Sequence, residues 1–148
     1  MHRRLTLFVA IVGLGAATAL LSGCDTSPPT KEQMDSVNYG LKPDNYQQII
    51  RDYLRNRLTD PTAAIIDFKA GPTEMYQKGT VVRDLQFGWA VCVMVNDKNT
   101  RGAYEGFTPG VYFIRNGKVV AHNGGPDDGP IGAKFARDQC KKLGYEVP

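Results

Sequence analysis

The chain has 148 residues, 42% of them hydrophobic and 22% charged, with 18 Lys+Arg against 15 Asp+Glu and three cysteines. That length suits one domain, and the charge content excludes global disorder and a multi-span membrane protein. A formal charge of +3 is too small to point to nucleic acid.

Met1 to Arg4 holds two arginines, and Leu5 to Leu21 follows without a charge. A basic start, an apolar stretch and small residues before a cleavage point make a secretory signal over 1–23. Leu21-Ser22-Gly23-Cys24 then resembles the lipobox of bacterial lipoproteins. The resemblance implies a diacylglycerol thioether on the Cys24 thiol, cleavage just before it, and a palmitate-type N-acyl chain on the new amino terminus. No other cofactor is expected. The competing reading is an uncleaved transmembrane anchor, but 17 apolar residues with small residues from Gly13 to Ala17 make a short and weak span. Two or three acyl chains, at about 0.8 kcal/mol per buried CH2, would hold the protein on a bilayer. The expected location is the bacterial cell membrane with the domain in the periplasm. Asp25 resembles the inner-membrane retention signal of enteric lipoproteins, with the outer membrane as the alternative. Loss of Arg3 and Arg4 leaves 16 basic against 15 acidic residues, which removes the electrostatic case for a polyanionic partner.

With Cys24 assigned to lipid, Cys92 and Cys140 remain. Export favours a disulfide between them. Closing a loop of about 48 residues stabilises a fold by roughly 4 kcal/mol in the loop-entropy treatment. Two buried free cysteines are the alternative.

Residues 24–42 read as the lipidated cysteine and a flexible linker, with Pro28-Pro29 and little apolar periodicity; about 18 residues reach roughly 25 Å. The single domain is expected over 43–148. Tyr46, Ile49, Ile50, Tyr53, Leu54 and Leu58 recur at helical spacing after Pro43, with Asp44 and Asn45 available to start the helix and Thr59-Asp60-Pro61 to stop it. Ala64–Ala70 predicts a strand ended by Gly71-Pro72. Leu85–Val95 predicts a central strand: Phe87, Trp89, Val91, Val93 and Val95 face one way, Gly88, Ala90, Cys92 and Met94 the other, and both faces are apolar. A long polar connection spans Asn96–Pro109. Asn116-Gly117 is a hairpin signal between Gly110–Arg115 and Lys118–His122. After the glycine-rich NGGPDDGP, Ile131–Leu143 predicts a closing helix with Ile131, Phe135, Ala136, Cys140 and Leu143 inward and Gly144 as its C-cap. The expected class is α+β: an N-terminal helix, a three- to four-stranded antiparallel sheet and a C-terminal helix.

His122 with Asp127 and Asp128 could suggest acid/base or metal chemistry. Aspartates in Gly/Pro loops are more often turn formers, so no catalytic residue and no metal site is expected. The Asn96–Pro109 connection is the better candidate. Lys98, Arg101, Tyr104, Glu105 and Phe107 give it the aromatic and arginine composition of a recognition surface, against the alternative that the aromatics tuck onto the sheet. FGWAVCVMVNDKNTRGAYEGFTPGVYFIRNGKVV resembles a group of small bacterial lipoproteins and secreted proteins of uncharacterised role. It implies a shared fold and brings no activity. The functional expectation is a non-catalytic interaction or support module of the cell envelope, with the bilayer and an envelope protein as partners. The alternative is a small-ligand carrier or sensor with a pocket lined by Trp89 or Tyr112.

Overall fold

A computed structural model describes residues 27–81 and 83–148. The fold is α+β: the described residues form three helices and a four-stranded antiparallel sheet in the order β1-β2-β3-β4. The sheet comprises β1 (Ile65–Gln77), β2 (Gln86–Asn96), β3 (Thr108–Arg115) and β4 (Lys118–Gly124). The helices are α1 (Lys31–Asp35), α2 (Tyr46–Arg55) and α3 (Gly129–Lys142).

Strand alternation divides the core in two. Val91, Val93 and Val95 of β2 join Tyr112 and Ile114 of β3 beneath Ile50 and Leu54 of α2. The full helical stripe from Tyr46 to Leu58 packs into this layer. On the other face Ala90, Cys92, Val111 and Phe113 meet Ala136 and Cys140 of α3. Small side chains at Ala90, Cys92 and Ala136 let α3 lie close to the sheet, where Cys92 and Cys140 are joined with Cα atoms 5.2 Å apart. The closing helix ends as expected. Gly144 is at φ 90°, its N–H donates to the Lys141 carbonyl, and the Tyr145 N–H reaches back to the Cys140 carbonyl. Asn116 and Gly117 both have positive φ, as the tight hairpin turn requires.

Two expectations need correction. Gly71-Pro72 does not end the first strand. β1 runs through it, and the register slips by one extra residue between Phe68 and Ala70 and again between Ala70 and Thr73. Gly71 is needed there because a Cβ would sit 2.3 Å from the Ala90 carbonyl oxygen. Ile131, expected inward, is 70% exposed, because the buried stripe of α3 is Gly132, Ala136, Gln139 and Cys140. Within the stretch read as a linker, residues 24–42, the described part carries α1 and meets the sheet. Thr30 and Gln33 form a capping box on α1, the Tyr39 ring meets Phe87 edge-on, and the Trp89 indole N–H donates to the Gly40 carbonyl at 3.0 Å. Asn45 begins α2 with its carbonyl, not with a side-chain cap.

Candidate functional site: the connection between the second and third strands

The connection from Asp97 to Phe107 is closed by its own polar side chains. Lys98 and Tyr104 form an antiparallel bridge across it. At its tip the Asn99 side-chain oxygen accepts the Arg101 and Ala103 N–H groups, and the Asn96 side chain accepts the Gly106 N–H. Asp97 supplies the base. Its carboxylate accepts the N–H groups of Thr59 at 2.6 Å, Asp60 at 3.2 Å and Lys98 at 2.8 Å. The loop is thereby bolted to the turn after α2, some 38 residues earlier in sequence.

The expected site residues divide within this frame. The Tyr104 hydroxyl donates to the Ala63 carbonyl at 2.8 Å, and the Lys98 ammonium lies 5.4 Å from the Tyr104 ring centre and 3.4 Å from the Asp60 carboxylate. Yet Tyr104 stays 47% exposed and Phe107 48%. The tyrosine is anchored by its tip and still shows half its surface. Arg101 and Glu105 are exposed. Ile65 adds a third half-exposed apolar side chain at this end of the sheet, since it pairs with Asn96. Asp60 is held below its ordinary carboxyl value, first by the Thr62 hydroxyl, with the Ala63 N–H and Lys98 adding to it against partial desolvation.

His122 is placed differently. Its ring stacks on Tyr112 at 5.9 Å and meets Tyr53 edge-on at 5.7 Å, and Nδ1 faces the Gly124 carbonyl at 3.2 Å. Asp127 instead lies 4.0 Å from the Arg57 guanidinium, which covers the Tyr53 ring. Asp128 accepts the Gly124 N–H at 2.8 Å and the Arg83 guanidinium at 3.0 Å. No hydrogen bond joins His122 to either aspartate among the described residues, so the three form no proton relay there. Tyr112 is fully buried, and among the described residues its hydroxyl has no hydrogen-bond partner. Burial, then the charge of Asp127, pushes its phenol far up, which keeps it neutral. Among the described residues no group of three His, Cys, Asp or Glu side chains could hold a metal.

Sequence reasoning missed a buried polar network on the α3 side. Asn123 is fully buried, and its amide donates to Gln86 at 2.7 Å and to Gln139 at 2.9 Å while its oxygen accepts from Arg83 and Gln86. The Arg83 guanidinium lies over the Phe135 ring at 4.8 Å. Gln139 within an otherwise small or apolar helix stripe was the available signal. Every member is satisfied, so the network reads as a fastening of the β1–β2 connection to β4 and α3.

No family model, curated protein or solved structure matches this chain. Cys24 and Asp25 lie outside the described residues, as does the 1–23 segment. No helix among the described residues is long and apolar enough to cross a membrane. Tyr112 is buried in the core, and the Trp89 indole N–H is held by the Gly40 carbonyl.

Proposed function

We propose that this chain is a membrane-tethered, non-catalytic domain of the bacterial cell envelope that engages an envelope protein through the Asp97–Phe107 connection. The resemblance of Leu21-Ser22-Gly23-Cys24 to a lipobox supports the tether and a periplasmic domain, and Asp25 favours the inner membrane. A joined Cys92–Cys140 pair is in keeping with an oxidising compartment.

One observation carries the recognition role. Tyr104 is fixed through its hydroxyl yet leaves half its surface to solvent, and Phe107 on the same connection is also half-exposed. A rigid aromatic held out on a self-closed loop loses little conformational freedom on binding, which is what makes such residues effective anchors. Arg101 at the tip adds a planar donor group.

The test is co-purification from envelope membranes with Arg101, Tyr104 and Phe107 replaced together by Ala. Loss of a specific partner with an unchanged circular dichroism spectrum is expected. Undiminished recovery of that partner would overturn the assignment. The intact mass of the chain should also carry acyl mass on Cys24 and lack the two hydrogens of a Cys92–Cys140 dithiol.

A further inference from the structure

We infer that the groove between α2 and the turn entering β1 binds a small organic anion with an apolar body, with Arg51 as its main ligand. The groove has a volume of about 300 Å³, the lower end of the range for small-molecule sites. It is lined by Gln48, Arg51 and Arg55 of α2 and by Pro61, Thr62 and Ile66 beyond the helix. Arg51 and Arg55 are one helical turn apart, which puts both on the same strip of α2.

The two arginines are not equivalent. Arg55 is neutralised by Asp52, 2.7 Å away, and Asp52 also accepts the Gln48 amide. Arg51 has no ion pair among the described residues; its guanidinium lies over the Phe68 ring, 5.2 Å from the centre. Stacking on an aromatic face holds a guanidinium in place without consuming its N–H groups. The acidic groups near the turn are already engaged: Asp60 with Lys98, Thr62 and the Ala63 N–H, and Asp97 with three backbone amides. The groove therefore presents one uncompensated positive charge, beside the side chains of Pro61 and Ile66. A carboxylate or phosphate monoester supplies the paired oxygens to which a guanidinium fork donates, and a ring or short alkyl body would lie against Pro61 and Ile66.

This site stands on α2, the turn and β1, so failure of the loop's recognition role would leave it intact, and the reverse also holds. The test is an NMR titration of the full chain in non-ionic detergent with benzoate, phenyl phosphate and benzyl alcohol. Saturable shifts at Arg51, Thr62 and Ile66 are expected with either anion, and the tighter of the two names the head group. Arg51→Gln should weaken binding about tenfold, equivalent to about 1.4 kcal/mol, with the other resonances unmoved. Absence of saturable shifts, equal affinity for the neutral alcohol, or a change of less than about twofold in Arg51→Gln would overturn the assignment.

Discussion

Two glycine-bearing polar connections leave the sheet, and they do opposite work. Residues 97–107 between β2 and β3 hold half-exposed Tyr104 and Phe107 outward. Residues 123–128, the end of β4 and the loop that follows it, turn inward: Asn123, Gly124 and Gly125 are buried and Asp128 bonds back to the Gly124 N–H. Both are rich in Gly, Asn and Asp, so composition does not separate them. What separates them is the direction of their polar side chains. Asn96, Asp97 and Asn99 satisfy backbone amides around the first loop, which frees its aromatics for solvent. Asn123 and Asp128 satisfy partners across the core, which consumes their loop as structure. Where a loop's polar side chains find their partners therefore decides whether it displays a surface or closes the core.

The contrast yields expected outcomes of decreasing size. The largest lies beneath the inward loop. Replacing Cys92 and Cys140 together by Ala should cost about 4 kcal/mol of unfolding free energy, read as a lower urea midpoint; a loss under about 1 kcal/mol would mean the staple contributes little. Next is Gly124→Ala. Gly124 is at φ 71°, and a Cβ would sit 2.2 Å from the Pro109 carbonyl oxygen and 2.7 Å from the Ala136 Cβ. A cost of about 2–3 kcal/mol is expected, whereas Gly102→Ala at the outward loop's tip, with nothing within 4 Å of a Cβ, should cost only its φ strain of about 1 kcal/mol. Equal losses at the two glycines would erase the distinction.

Asp97→Ala is the middle case. It removes the acceptor for three amides, two of them on the turn after α2. Those amides are reachable by water, so a stability loss of about 1–2 kcal/mol is expected, with faster hydrogen exchange over residues 97–106 than over 123–128. Exchange that accelerates equally in both loops would contradict independent fastening.

The smallest effect is one of pH. Asp60 is depressed in the folded chain, chiefly by the Thr62 hydroxyl. Its contribution is fully present above the ordinary value of 3.8 and lost as pH falls through the lower folded value. Stability should therefore decline on acidification through that window. Thr62→Val should weaken the decline, and an unchanged acid limb in that variant would remove Asp60 as its source.

Much of the fold was legible because its signals are local. The Tyr46–Leu58 stripe, the two-sided apolar β2, the Asn116-Gly117 turn and the Gly144 cap each depend on neighbouring residues. The Cys92–Cys140 pair was legible from parity once Cys24 was set aside. What escaped depends on distant partners. β1 continues past Pro72 because β2 tolerates two bulges opposite Val93–Ala90. Gly40 belongs to the domain because Trp89 needs an acceptor. Asn123 is buried because Gln86, Gln139 and Arg83 converge on it from three elements. In the outward loop the aromatics were legible, but Asp97 as their fastening was not, since two of its three amide partners, Thr59 and Asp60, lie before β1.

The central claim is that residues 97–107 form the recognising surface of a tethered domain. It is tested most directly by placing a photo-crosslinking amino acid at Arg101 and, separately, at Lys134 on the exposed side of α3, in living cells. A discrete adduct from position 101 that is absent from position 134, and that disappears when Tyr104 and Phe107 are both Ala, is the expected result. Identical adducts from both positions, or an adduct that survives loss of both aromatics, would contradict the claim.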